Sequence, residues 1–132
     1  MPTLAGYSHL SLTVTDLDKS TRWYTELLGF SLDAEVEGDG FRRNRLRHPD
    51  AGITLTLTAH DAGSRDRFDE RRTGMDHGSF AVPSMEDLLS FQELFADRGV
   101  DYSDVKPTVS GAGEIITFRD PDNIQLEVFA AG

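Results

Sequence analysis

The sequence predicts an α+β fold of two βαβββ modules, on the strength of three observations. Short stretches alternate polar and apolar residues, as strands with one buried face do. Two longer stretches place apolar residues at helical spacing between a capping residue and a glycine. The same element order then occurs twice, at an offset of about 68 residues that aligns His9 with His77, Asp16 with Ser84 and Leu27 with Phe95. A repeated supersecondary unit of this length cannot bury its sheet face alone, so the two copies are expected to pack together.

In the first copy, Ser8–Val14 (SHLSLTV) alternates as a strand. Asp16 is the expected N-cap of a helix that places Leu17, Trp23, Tyr24, Leu27 and Leu28 at helical spacing and stops at Gly29. Three strands are expected next, at about Phe30–Glu37, Phe41–Arg47 and Gly52–Ala59, joined by the turn-forming Gly38-Asp39-Gly40 and His48-Pro49-Asp50. The second copy opens with a strand over His77–Val82. Ser84, with Asp87 three residues on, begins a helix through Arg98 that Gly99 ends. Strands follow at about Tyr102–Lys106, Gly113–Phe118 and Ile124–Phe129. The modules are thus expected at about 7–60 and 77–132. The charged, glycine-bearing stretch 61–76 connects them and is expected to be partly ordered.

Composition bounds the function. The 132 residues suffice for one domain with a real core, and 38% hydrophobic with 27% charged residues reads as a soluble globular protein. No apolar run approaches the roughly 20 residues needed to span a bilayer, so no membrane partner is expected. The N-terminus has neither a basic nor a long apolar segment, so no signal peptide is expected. With no cysteine there are no disulfides or thiolate metal sites, which fits a cytoplasmic location. A net charge of −10 argues against nucleic-acid binding, because phosphate contacts need a basic surface.

Strand parity sorts the side chains into two faces. With Leu10, Leu12 and Val14 turned to the helix, His9, Ser11 and Thr13 point away. Ile53, Leu55 and Leu57 take the core, leaving Thr54, Thr56 and Thr58. Phe80 and Val82 leave His77, Ser79 and Ala81. Ile124, Leu126 and Val128 leave Gln125, Glu127 and Phe129. The polar faces therefore hold two histidines and one carboxylate, on strands the repeat makes equivalent or neighbouring. Two imidazoles and a carboxylate form a facial triad suited to Fe(II), Mn(II), Ni(II) or Zn(II).

Other residues are sorted the same way. Ser11, Thr54, Thr56 and Ser79 are candidate pocket hydroxyls, and Phe129 a candidate apolar wall. Arg43, Arg45 and Arg47 share one face of their strand. Arg43 and Arg45 are candidate ligands for a substrate anion. The alternative is an edge strand blunted by charge and balanced by Glu35 and Glu37. His48 is expected in a turn. His60 lies four residues beyond Thr56, roughly 13 Å at strand rise, and is not expected among the ligands. Asp120–Asn123 (DPDN) reads as a tight turn with Asn123 left-handed.

Three stretches, SHLSLTVTDLDKSTRWYTELLGF, GMDHGSFAV and FRDPDNIQLEVF, together resemble the vicinal oxygen chelate superfamily of glyoxalase I, extradiol dioxygenases, fosfomycin-resistance enzymes and bleomycin-resistance proteins. The resemblance covers essentially the whole chain. It implies two modules curled into an open, half-barrel sheet around a metal-binding cavity, and a divalent metal held by His9, His77 and Glu127. At the fourth-strand position, where glyoxalase I carries a carboxylate acting as ligand and base, this chain has Thr56. That argues against glyoxalase I activity itself. The resemblance leaves two functions open. One is a metal-dependent lyase, isomerase, thiol transferase or extradiol-type dioxygenase acting on a small oxygen-chelating molecule. The other is a metal-free protein that sequesters an antibiotic or metabolite. No residue stands out as a general base. The superfamily often pairs two chains, so a homodimer is expected.

Overall fold

Both anticipated helix caps form and set the position of everything that follows. In the computed structural model, which describes residues 1–132, the chain divides into two units, Met1–Arg65 and Asp66–Gly132. The first unit runs β1 (Leu10–Thr13), α1 (Leu17–Leu28), β2 (Ser31–Gly38), β3 (Phe41–Arg47) and β4 (Thr54–His60). The second repeats the order as β5 (Gly78–Val82), α2 (Met85–Arg98), β6 (Lys106–Pro107), β7 (Gly113–Arg119) and β8 (Gln125–Ala131). This is an α+β fold of two βαβββ modules.

The Asp16 side chain accepts from the Lys19 amide at 3.1 Å, and Ser84 accepts from the Asp87 amide at 3.2 Å. Each satisfies one of the amides that a helix start leaves without an internal partner. Both helices end on a left-handed glycine, Gly29 at φ 81° and Gly99 at φ 66°, a conformation in which a Cβ would be strained.

Each module forms an open four-stranded sheet, ordered β1-β4-β3-β2 and β5-β8-β7-β6, and neither closes into a barrel. The outer pairs β1–β4 and β5–β8 are parallel and the rest antiparallel. In the first unit Leu12, Leu46, Leu55 and Leu57 are buried with Tyr24, Leu27 and Leu28 of α1. In the second, Ile116, Phe118, Leu126, Val128 and Ala130 are buried with Leu88 and Phe95 of α2. Each fully buried side chain of this size removes about 1.5–3 kcal/mol of apolar hydration cost.

Three expectations are corrected. Ile53 lies before β4 and is 41% exposed, because the turn closed by the Gly52 amide on the His48 carbonyl delays the strand to Thr54. The strand expected over Tyr102–Lys106 shrinks to Lys106–Pro107 and a single bridge from Tyr102 to Phe118. Pro107 has no amide to extend that ladder. His9 and His77 each stand one residue ahead of their strand.

Residues 66–76 belong to the second unit and are tied to the turn before β8. The Phe68 amide donates to the Asp122 carbonyl at 2.9 Å, and Asn123 Nδ2 donates to the Phe68 carbonyl at 3.0 Å. Asn123 adopts φ 68°, which asparagine tolerates and the turn requires. Asp120 is buried, and its Oδ1 accepts the amides of Asp122 and Ile124, both at 2.8 Å. Arg119 clasps Glu70 with both Nη atoms, at 2.7 and 3.2 Å.

These ion pairs give the segment an acid dependence. The Arg119 guanidinium holds the Glu70 carboxyl below its ordinary 4.5. The Arg71 side chain, then its amide, holds Asp69 down from 3.8 to about 2. A carboxyl depressed in the folded state stabilises above its unfolded value and loses that contribution as pH falls through the folded one. Only the Glu70 pair crosses from the segment to β7; Asp69 and Arg71 are local to it. Hydrogen exchange at the Phe68 amide, corrected for intrinsic rate, should therefore lose protection as pH falls below about 4.5. An Arg119→Gln variant should lack most of that dependence; an unchanged acid profile in it would contradict the assignment.

Candidate metal and ligand site

In the first unit the strand registers put the polar side chains in rows. Ser11 pairs with Thr56 and Thr56 with Arg45; Thr13 pairs with Thr58 and Thr58 with Arg43; Thr54 pairs with Arg47. Directly paired residues share a face, so all of these look away from α1. On the other face Asn44 is buried and donates to Thr21 Oγ1 of α1 at 2.9 Å.

A cavity of about 590 Å³ opens on the polar face, lined by Ser8, His9, Asp33, Val36, Arg43, Arg45, Arg47, Thr54 and Thr56. Each arginine is pinned by a neighbour. Arg43 Nε donates to Thr58 Oγ1 at 2.8 Å, and its guanidinium lies 4.6 Å from the centre of the Phe41 ring. Arg47 Nη1 donates to Thr54 Oγ1 at 2.9 Å. Arg45 Nε binds Asp33 Oδ2 at 2.7 Å. Of the three, Arg45 alone pairs with a carboxylate, and the partner is Asp33 rather than Glu35 or Glu37. The register shifts between Leu32 and Ala34, and this bulge turns Asp33 toward Arg45.

Thr56 is 5% exposed, and its Oγ1 has no hydrogen-bond partner. A buried hydroxyl left unmatched costs about 1–3 kcal/mol, so this one is a polar group waiting for a partner. Ser11 Oγ lies 3.4 Å from Thr58 Oγ1, and His9 Nδ1 lies 2.9 Å from Ser8 Oγ.

In the second unit the matching row is Ser79, Glu127 and Thr117, so Glu127 occupies in β8 the place of Thr56 in β4. Phe129 follows on the same face, paired with Ala81 and Ile115. His77 Nδ1 stands 2.6 Å from Asp76 Oδ1, and Nε2 stands 3.6 Å from Glu127 Oε1. Gln125 Nε2 donates to the Asp76 carbonyl at 3.1 Å and to its Oδ1 at 3.3 Å.

A carboxylate only accepts, so His77 Nδ1–H donates to Asp76, and Nε2 is the ring nitrogen left facing Glu127. Either a proton or a cation between Nε2 and the Glu127 oxygen makes that approach favourable. Two ligands at about 2.1 Å from one ion, separated by roughly 90–120°, stand about 3.0–3.6 Å apart, which the observed spacing meets. A carboxylate on the far ring nitrogen is also the usual support of a metal-binding histidine. The spacing of His77 and Glu127 is therefore compatible with two ligands of a divalent ion, while no group of three histidine or carboxylate side chains is gathered in position to hold one.

Of the remaining histidines, His48 accepts the Ala51 amide at 3.0 Å within its turn and packs edge-on to Phe30. His60, at the end of β4, pairs with Phe41. Parity analysis missed Asp76, Asp33 and Thr58 as partners. Only Asp76 carried a signal, a carboxylate immediately before the candidate histidine.

A sequence profile of the Glyoxalase/Bleomycin resistance protein/Dioxygenase superfamily matches residues 6–128. The chain is 42% identical to a glyoxylase/bleomycin resistance protein/dioxygenase domain from Frankia sp. EAN1pec, whose crystal structure matches with a TM-score of 0.90 over 98% of this chain and 94% of that one. It is 26% identical to the fosfomycin resistance protein FosX of Listeria monocytogenes, over 96% of this chain and 90% of that protein. A mutant of that protein complexed with Mn(II) and 1S,2S-dihydroxypropylphosphonic acid matches at a TM-score of 0.74 and 25% identity, covering 98% of this chain and 93% of that one. A trivalent organoarsenical cleaving enzyme from Bacillus sp. (strain MD1) is 28% identical over 93% of this chain and 71% of its own length.

Proposed function

The chain belongs to the Glyoxalase/Bleomycin resistance protein/Dioxygenase superfamily, and on that premise we propose that it is a divalent-metal-dependent enzyme acting on a small molecule that chelates through adjacent oxygens. His77 and Glu127 serve as two ligands and His9 as the third. The observation that carries this is the His77–Glu127 pair, with Nε2 turned toward the Glu127 carboxylate while Nδ1 faces Asp76. The Mn(II) bound by the fosfomycin resistance relative supports an ion of this class.

A divalent ion there supplies Lewis-acid stabilisation of negative charge developing on a substrate oxygen. The chain's own residues do the rest. Asp76 and Gln125 hold the His77 ring in one orientation, with Nδ1 toward the Asp76 carboxylate. Ser79 and Phe129 share the face of Glu127 and flank the ligand. Thr56, a hydroxyl in the counterpart of Glu127's position, neither donates a carboxylate to an ion nor takes up a proton at neutral pH, which directs the reaction away from glyoxalase I chemistry. Cleavage of a trivalent arsenical is disfavoured too. Trivalent arsenic is a soft, thiol-seeking centre, and this chain has no cysteine.

The test is metal linkage to folding. An ion held only by the folded chain raises its melting temperature, by mass action. Mn(II), Fe(II), Ni(II) or Zn(II) added to chelator-stripped protein is expected to raise it in wild type and not in His77→Ala. Equal responses in the two proteins would sink the metal site. Tight ligand binding by protein that never takes up metal would instead establish sequestration.

A further inference from the structure

We infer that the cavity of the first unit is an oxyanion subsite, in which Arg43 and Arg47 bind a phosphonate, phosphate or carboxylate group of the ligand and Thr56 donates to it. The inference deepens the proposed function, because His9 lines the same cavity, but its residues all lie in the first unit.

Charge is the first reason. Three guanidiniums line the cavity and one carboxylate, Asp33, offsets one of them through Arg45. Arg43 and Arg47 are left without an acidic partner, in a chain whose net charge is −10. An acidic protein has many carboxylates with which to neutralise an arginine. Two left uncompensated on one concave face make a local positive field that selects an anion. An edge strand blunted by charge does not account for this, since β3 lies inside the sheet, between β4 and β2.

Orientation is the second. Thr58 and Thr54 each take one N–H of their arginine. That fixes the guanidinium planes and leaves most of their five donors free, the arrangement that grips a planar or tetrahedral oxyanion. A ligand bound to pre-positioned arginines loses less side-chain entropy.

The third is independent of charge. Thr56 lies in the row between Ser11 and Arg45, lines the cavity, and has a buried hydroxyl with no partner. An oxyanion oxygen supplies the missing acceptor. The same hydroxyl that fails as a metal ligand thus has a use.

The experiment titrates methylphosphonate, and separately acetate, into full-length protein stripped of metal and dialysed free of chelator, then repeats both after adding back Mn(II). Calorimetry reads the affinity. Saturable binding of at least one anion is expected without metal, and the tighter of the two identifies the group. Arg43→Gln and Arg47→Gln are each expected to weaken it about 10-fold or more, and Thr56→Val about 10-fold. Arg42→Gln removes the same charge from the opposite face of β3 and should leave affinity unchanged. The inference is overturned if neither anion binds saturably, or if Arg42→Gln weakens binding as much as Arg43→Gln. Anion binding by a chain that takes up no Mn(II) would uphold the subsite and remove the metal reading alone.

Discussion

Glu127→Ala is expected to lower the affinity of the chain for a divalent ion by about 100-fold or more, with little change in the stability of metal-free protein. The reason lies in what each state leaves behind. In wild type the Glu127 carboxylate stands 3.6 Å from His77 Nε2, where the two would serve as neighbouring ligands to a bound ion. Removing the carboxylate would delete one of those ligands, while in metal-free protein it breaks only a long contact to a partly exposed ring. Asp76→Asn gives a milder, diagnostic version. An amide in place of the carboxylate no longer requires Nδ1–H, so the ring's tautomer is freed, and loss of such a supporting partner typically lowers metal affinity about 10- to 100-fold. Metal content after dialysis against graded metal buffers measures both. A purely structural glutamate would leave metal affinity untouched by either substitution.

The second large effect is on stability. Phe118→Ala is expected to destabilise the protein by about 3–5 kcal/mol, the usual range for deleting a buried aromatic. Phe118 is 1% exposed, stacks on Phe95 with ring centroids 4.5 Å apart, and bridges to Tyr102. Phe95 in turn meets Phe91 and Tyr102 at 5.7 and 6.0 Å. The Phe118 ring thus joins β7 to α2, while its backbone bridge to Tyr102 and the Phe95–Tyr102 ring contact bring in the irregular segment that replaces the expected strand. Deleting it leaves a void between elements that cannot all collapse together. Phe118→Leu, which keeps most of the volume, should cost less than about 1.5 kcal/mol. Urea denaturation of both variants gives the comparison. A loss under about 1 kcal/mol for the alanine variant would show that the aromatic cluster does not hold the second unit together.

Sequence patterning was most informative where a single residue's chemistry decides its conformation. Asp16 and Ser84 cap, Gly29 and Gly99 terminate, and Asn123 takes the left-handed turn, each for local reasons. Period-two alternation correctly separated Leu126 and Val128 from Glu127 and Phe129. It was weaker at strand ends. Ile53 had core parity but lies outside the ladder, and the Tyr102 region has strand-like residues yet forms one bridge. Both fail for one reason: where pairing stops depends on the partner strand and the turn, which alternation along one segment does not encode.

By itself, the sequence determined the twofold βαβββ order, the helix limits and the face on which Glu127 lies, because these follow from backbone periodicity and from capping groups within a few residues. Only the tertiary structure decided who faces whom. The bulge at Asp33 neutralised Arg45 and spared Arg43 and Arg47, Gln125 and Asp76 oriented the His77 ring, and β4 buried the Thr56 hydroxyl without a partner. Those outcomes depend on register between strands distant in sequence, which hydrogen-bond ladders and one extra residue set, and which no local pattern contains.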